Sequence, residues 1–381
     1  MRVLIIPTWY PSGGDGLMGI YHKEYAESLN KYGIEADVLF INRYGISKSL
    51  EYIFTKRKRV IEETNFKTYV YKMFDNKRKT FDNNLNNYIK CLDESLRDYL
   101  KMNPKPDVLH AMVTVPAGYA ACIVGKNYNI PVVVTEHGGA LERFFNRSDL
   151  SKYGKYVLEN STYSTVSNYM KDIVLKYTKE CYVIPNQINT DIFKNDIERK
   201  VDKTFRLISV CALREGKKLD IAFKAIKQLV EKGIDIHYDI VGDGYYENEF
   251  KKSCHNEGVD DYVTFLGRLT KREIAELFKS EHALLISSDL ESFGIPGVEA
   301  MASGMPVIST DCLGPTEYID SKSGIICKVN DPKDMAKAIE KLIKNYSNYD
   351  KKYLENRASK FSEKSVVDIA KKIYKIAIKK D

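Results

Sequence analysis

The chain has 381 residues, 44% hydrophobic and 29% charged, with a net charge of +7. That is long enough for two hydrophobic cores and has the composition of a globular protein, which excludes a disordered or fibrous chain. No apolar run approaches membrane-spanning length, and Met1-Arg-Val-Leu-Ile-Ile6 breaks at Pro7, too early for a secretory leader, so a cytoplasmic protein is expected.

In chain order the first half alternates strands near Val3 to Ile6, Ala36 to Phe40, Val108 to His110, Val132 to Thr135, Tyr163 to Val166 and Tyr182 to Ile184 with helices. The helices are expected at Ile20 to Lys31, Asn83 to Lys101, Pro116 to Lys126 and Ser167 to Tyr177. Gly45 to Thr80 is polar and basic and yields no firm assignment. It holds two basic runs, Lys56-Arg-Lys-Arg59 and Lys77-Arg-Lys79, interleaved with Tyr52, Phe54, Tyr69, Tyr71, Phe74 and Phe81. Such runs suit a solvated loop or an anionic surface: lipid head groups, a phosphorylated acceptor, or nucleic acid. The last rests on the runs alone and is set aside.

The pattern breaks near Pro185-Asn-Gln-Ile-Asn-Thr-Asp-Ile-Phe193, and a polar linker follows to about Thr204. A second alternation then begins, with strands at Leu207 to Val210, His237 to Val241, Val263 to Leu266, Leu284 to Ser287, Val307 to Ser309 and Gly324 to Cys327. Its helices are expected at Leu219 to Lys232, Tyr246 to Asn256, Lys271 to Lys279 and Pro332 to Ile343. The domains are therefore 1–190, 200–360 and a closing helix, 361–381, that packs back on the first. Seven cysteines lack any C-x-x-C spacing and read as reduced core residues, and six histidines form no cluster, so no metal is expected. The absence of G-x-G-x-x-G after a strand argues against a nicotinamide enzyme.

The most informative segment is Glu291-Ser-Phe-Gly-Ile-Pro-Gly-Val-Glu299. It follows the short apolar run Ala283-Leu-Leu-Ile-Ser287, and Pro296 suits a first helical position. Glu291 then lies in a loop at a strand's carboxyl end and Glu299 in the first helical turn. The amides of Phe293, Gly294 and Ile295 face the same crevice, where helix dipoles favour phosphate or a polyhydroxylated ligand. A carboxylate can accept from two vicinal hydroxyls of a ribose or hexose.

On these residues the chain resembles, over essentially its whole length, the retaining GT-B glycosyltransferases of glycosyltransferase family 4. The succession that carries the resemblance is Lys217, Ile240-Val-Gly-Asp-Gly244, Val263-Thr-Phe-Leu-Gly-Arg268, the paired glutamates and Ala302-Ser-Gly-Met-Pro-Val307. The first half adds Pro11-Ser-Gly-Gly14, Asp107-Val-Leu-His110, Thr135-Glu-His-Gly138 and Val183-Ile-Pro-Asn186.

The resemblance implies an α/β GT-B fold, two Rossmann-like doubly wound domains facing an interdomain cleft. It also implies a metal-independent hexosyltransferase that moves a hexose or N-acetylhexosamine from a nucleotide-sugar to a glycan, lipid-linked or protein acceptor, for cell-surface polysaccharide or glycoconjugate synthesis. The nucleotide-sugar is a substrate, a UDP-sugar before a GDP-sugar, and no cofactor is required. Catalytic roles fall to His137, Glu291 and Lys217, while His110 reads as structural or as backing a residue of the site. The donor site comprises Gly13, Gly14, Arg214, Lys217, Arg268, Glu291, Phe293, Gly294, Ile295 and Glu299. Glu299 reads the ribose, Glu291 the sugar hydroxyls, and Arg268 lies near the base; Asn186 and Asn168 are further candidates for substrate contact.

One departure stands out. Where the family often has Gly-Arg-Leu, this chain has Cys211-Ala212-Leu213, so Arg214 is the nearest replacement for the arginine absent at Ala212. The basic runs Lys56 to Arg59 and Lys77 to Lys79 suggest docking at the inner face of a membrane. Alternatives sharing the layout are a sugar-nucleotide epimerase, a phosphorylase, or a non-catalytic sugar-nucleotide binder.

Overall fold

The computed structural model describes residues 1–11, 19–45, 49–54, 56–75, 80–139, 141–201 and 203–380. It divides into two units, Met1–Pro185 with Val366–Asp381, and Asn186–Ser365.

The first unit carries β1 Arg2–Pro7, β2 Glu35–Tyr44, β3 Lys58–Glu62, β4 Lys67–Phe74, β5 Val108–Met112, β6 Val132–Glu136, β7 Thr162–Thr165 and β8 Tyr182–Val183. They lie in the order β3-β4-β2-β1-β5-β6-β7-β8. All pairings are parallel except β3 with β4. Strands β1 and β6 are buried almost throughout, because a parallel sheet covered on both faces selects continuous apolar runs rather than alternation.

Gly45 to Thr80, which the pattern leaves unassigned, contains the short helix Ser49–Phe54 and the β3–β4 hairpin. β3 is an edge strand in which only Lys58 and Ile61 are half-buried and the other three positions are exposed, so it carries charge where an interior strand would carry apolar residues. The helix expected from Pro116 starts later: Thr114–Gly118 forms a tight turn and the regular helix spans Tyr119–Tyr128.

The closing helix Glu363–Lys380 is amphipathic. Val366, Val367, Ala370, Ile373, Tyr374 and Ala377 are its buried face, and they belong to the same core as Val3, Ile5, Tyr25 and Val38 of the first unit.

The second unit carries β9 Phe205–Val210, β10 Ile236–Val241, β11 Val263–Gly267, β12 Ala283–Ile286, β13 Val307–Thr310 and β14 Gly324–Cys327. Their order is β11-β10-β9-β12-β13-β14, all parallel. The helix Leu219–Glu231 shows why this sequence covers that sheet. Leu219, Ala222, Phe223, Ile226 and Leu229 recur at helical spacing and are buried. Each large side chain among them contributes about 1.5–3 kcal/mol of burial.

Strand order reverses between β9 and β12, so their carboxyl ends diverge and leave a crevice. In the first unit the same reversal falls between β1 and β5.

Candidate functional site

The crevice of the second unit is a cavity of about 280 Å³. The end of β9 supplies Ser209 to Ala212, the end of β12 supplies Leu285 to Ser288, and Lys217, Glu291, Gly294, Ile295 and Asn186 are among the other lining residues.

Lys217 ends a single 3-10 turn, Glu215–Lys217, and the next residue, Lys218, adopts a left-handed conformation (φ 51°) before the helix Leu219–Glu231 begins. Two bonds fix that turn: the Ser287 hydroxyl donates to the Lys217 carbonyl (2.6 Å), and the Asp289 amide donates to the Gly216 carbonyl (3.1 Å). The Lys217 ammonium then meets Glu291 Oε1 at 2.5 Å, and the Ser288 hydroxyl donates to the same oxygen at 2.7 Å. Burial alone would depress the ammonium's pKa, but Glu291 outweighs it and holds Lys217 above the ordinary lysine value. The cavity thus contains a charged ammonium.

Glu291 is itself pinned by its backbone. Its amide donates to the Cys312 carbonyl (2.9 Å) and its carbonyl accepts from the Gly314 amide (3.0 Å). Next comes the helix Ile295–Ala302, capped by Gly294 at φ 78°. Glycine is needed there twice over, since a side chain would have to adopt positive φ and its Cβ would lie 2.9 Å from both Pro315 and the Tyr318 hydroxyl. Tyr318 donates to the Gly294 carbonyl (2.6 Å), which fixes the helix start against the cavity. Gly294, Ile295 and Pro296 line the cavity, so the positive end of the helix faces it.

The structure therefore brings Lys217, Glu291, Gly294 and Ile295 together. Asn186 joins them; it is 7% exposed, and its Oδ1 accepts no hydrogen bond among the described residues. The other predicted donor-site residues lie elsewhere. Phe293 is turned into the core against Tyr318 and Phe361. Glu299 is buried in its helix with the Lys271 ammonium 3.6 Å from Oε1. Arg268 follows β11 and forms an exposed pair with Asp243 (2.9 Å). Arg214 is exposed and outside the cavity lining, so Lys217 is the lining cation among the described residues. Gly13 and Gly14 lie outside the described residues, as do Lys77 to Lys79.

The first unit presents His137 just beyond β6. Buried Glu136 shapes the turn: Oε2 accepts from the Thr114 amide (2.9 Å) and hydroxyl (2.6 Å), and Oε1 accepts from the Gly138 amide (2.7 Å). The half-buried His137 ring packs edge-on to His22 (5.2 Å between centroids) and against Tyr21 (5.3 Å). Burial, then the neighbouring His137 and His110, depresses the pKa of His22 well below that of a free imidazole.

His110 is fully buried. Its Nδ1 shares a 2.7 Å hydrogen bond with the Tyr374 hydroxyl and its Nε2 one of the same length with Thr135 Oγ1. Burial pushes its pKa down to about 3, so it is neutral and structural. Sequence reading missed His22, Glu136, Ser288 and Lys271. Only Glu136 had a visible signal, as an acid inside an otherwise apolar strand end.

Two family descriptions match in succession: Glycosyltransferase Family 4 over residues 18–192 and Glycosyl transferases group 1 over residues 191–361. The chain belongs to the family 4, group 1 glycosyltransferases. It is similar to an uncharacterized glycosyltransferase of Methanocaldococcus jannaschii, 29% identical over 261 residues covering 68% of this chain and 71% of that one. It is also similar to the N-acetyl-alpha-D-glucosaminyl L-malate synthase of Bacillus anthracis, 25% identical over 292 residues, 72% of this chain and 76% of that one.

Among solved structures, sucrose-phosphate synthase from Thermosynechococcus elongatus superimposes with a TM-score of 0.78 at 16% identity, over 100% of both chains. Anabaena HepE in complex with UDP and glucose superimposes with a TM-score of 0.71 at 16% identity, over 98% of both. The fold of this glycosyltransferase is GT-B.

Proposed function

We propose that this glycosyltransferase moves a hexose or N-acetylhexosamine from a nucleotide-sugar, a UDP-sugar before a GDP-sugar, with retention at the anomeric carbon and without a metal. The observation that carries the reading is the Lys217–Glu291 pair, 2.5 Å apart, in the crevice beside a helix N-terminus. The UDP and glucose held by HepE, and the N-acetylglucosaminyl product named for the Bacillus anthracis relative, support that donor class.

In this reading the bond from the anomeric carbon to the diphosphate oxygen breaks, and its electron pair leaves with the diphosphate. Lys217 and the amides at the start of the helix Ile295–Ala302 stabilise that charge. The acceptor oxygen attacks from the same face, and its proton passes to the departing phosphate oxygen. Glu291 accepts from the sugar hydroxyls, Asn186 Oδ1 accepts from the donor, and Glu299 reads the ribose once the Lys271 ammonium shares it. His137 borders the acceptor.

The acceptor is a glycan, a lipid-linked sugar or a protein, in surface polysaccharide or glycoconjugate synthesis. No helix among the described residues is long and apolar enough to cross a membrane. Ile53 and Phe54, 66% and 82% exposed beside Lys56 to Arg59, support docking of a cytoplasmic protein at an anionic membrane surface. The direct test is a panel of UDP-, GDP- and ADP-sugars with EDTA present, read by thermal stabilisation and nucleotide release. Selective stabilisation with release by the wild type, lost in Lys217→Met, is expected. Silence across the panel, or release only when a divalent metal is restored, would refute the reading.

A further inference from the structure

A second cavity, of about 260 Å³, lies in the first unit between the β3–β4 hairpin and the helix Phe81–Leu100. The fold gathers there cations that are scattered in sequence. Arg57 and Lys58 come from the basic run, Lys72 from β4, and Arg97 and Lys101 from the far end of the helix; these five face only two carboxylates, Glu94 and Asp98. The carboxylates are already engaged, Glu94 by Arg57 at 2.5 Å and Asp98 by Lys101 at 3.3 Å and Lys58 at 3.9 Å. Arg97 is paired with Asp93 (2.5 Å) and Lys72 donates to the Tyr52 carbonyl, both partners outside the lining, so Arg57, Lys58 and Lys101 stand against two carboxylates and one positive charge is left over around the cavity.

One side chain of that wall is incomplete. Tyr71 is 5% exposed, and its buried hydroxyl makes no hydrogen bond among the described residues. The Lys58 ammonium lies 5.3 Å from the centroid of its ring, so ammonium and phenol belong to one surface. Burial, then the Asp98 charge, raises the phenol's pKa, so the hydroxyl remains a donor at neutral pH. A buried donor without an acceptor is destabilised, and native proteins rarely leave one unless water or a ligand completes it.

We propose that this cavity binds a phosphate ester, whose oxygens accept from the Tyr71 hydroxyl and from the lysine and arginine side chains around it. A tetrahedral anion with several acceptor oxygens suits such a wall better than a single carboxylate. The same chemistry is offered by a phospholipid head group and by a soluble phosphate monoester. The site is separate from the donor crevice and does not depend on the sugar-transfer reading.

The test uses the full chain and two probes, sn-glycerol 3-phosphate by calorimetry and vesicles of phosphatidylcholine with or without phosphatidylglycerol by sedimentation. Tyr71→Phe removes only the hydroxyl, Lys58→Gln removes a lining charge, and Lys155→Gln, at an exposed position on another helix of the first unit, is the control. Binding to either probe should weaken about tenfold in Tyr71→Phe and Lys58→Gln, the ratio expected for one charge-assisted hydrogen bond, and little in Lys155→Gln. A loss confined to vesicles identifies a lipid head group, and a loss with glycerol phosphate a soluble ester. Absence of binding to both probes overturns the proposal. So does a Tyr71→Phe protein that binds like the wild type, or a Lys155→Gln protein impaired as much as Lys58→Gln, since either would reduce the attraction to diffuse surface charge. Donor turnover measured alongside reports separately on the sugar-transfer reading.

Discussion

The Lys217–Glu291 pair makes opposite demands on stability and on catalysis, and a double-mutant cycle separates them. In Lys217→Met the Glu291 carboxylate keeps only the Ser288 hydroxyl, in a site where its side chain is 16% exposed. Breaking a buried pair by removing one partner costs about 3–5 kcal/mol, and residual solvent at both side chains places this case near the lower end, about 3 kcal/mol. Glu291→Gln retains an oxygen for Ser288 but leaves the ammonium without its counter-charge, a loss of about 2 kcal/mol. The double variant removes both charges, so it should be more stable than the sum of the single losses by about 1–3 kcal/mol.

Turnover should behave differently. If Lys217 meets the leaving diphosphate as proposed, its loss lowers kcat by about 10²–10³, and the second substitution recovers none of it. Urea unfolding of the unit containing the cavity measures the first effect, and nucleotide release measures the second. A coupling energy of zero, or turnover restored with stability in the double variant, would refute the assignment of Lys217 to the leaving group.

Four further outcomes are expected. With His110 at about 3 in the folded state against 6.5 when free, the unfolded chain binds the extra proton between those pH values, so stability falls as pH drops below 6.5. His110 contributes about 1.4 kcal/mol per pH unit, and buried His22, also depressed, adds its own share, so His110→Phe should reduce the slope by about that amount without abolishing it; an unchanged slope would exclude His110 as a source. Gly294→Ala, which meets Pro315 and Tyr318, should lose about 2 kcal/mol and raise the KM for donor, and a neutral effect on melting would contradict the backbone reading. Arg214→Ala should leave donor KM within about twofold, a change below 0.5 kcal/mol, because that side chain is exposed; a tenfold rise would return it to the diphosphate. Replacing Lys56 to Arg59 by glutamine should lower sedimentation with anionic vesicles in low salt, and unchanged sedimentation would remove the docking surface.

What could be read from the residues was whatever periodicity and punctuation express. Ile20–Lys31 and Gly324–Cys327 lie where hydrophobic spacing puts them, and Pro296 marks the site helix because its fixed φ suits a first helical turn, whereas the left-handed cap at Gly294 emerged only from the structure. β3 was not legible. Lys-Arg-Val-Ile-Glu at a sheet edge obeys no burial pattern, and only its pairing with β4 makes it a strand. Pairings between distant elements were likewise hidden. Nothing at Lys271 or Ser288 announces a glutamate partner, and His22 reads as a polar position in an amphipathic helix until the fold sets it against His137. Phe293 was legible only as a backbone position beside the helix start; that its ring packs in the core against Tyr318 and Phe361 was not.

The absent arginine at Ala212 changes what the remaining residues must do. With Arg214 exposed, Lys217 is the lining cation among the described residues, and its charge is matched by Glu291. A diphosphate entering there competes with a carboxylate at 2.5 Å for one ammonium. The exchange is tolerable only if Glu291 finds new donors at the same moment, and sugar hydroxyls are the donors a nucleotide-sugar brings. A bare nucleoside diphosphate brings none beside Glu291, so it displaces the carboxylate without compensating it. Donor recognition in this chain should therefore depend on the sugar more than on the nucleotide. Full donors should stabilise the second unit more than the matching nucleoside diphosphates do, and Glu291→Gln should narrow that gap.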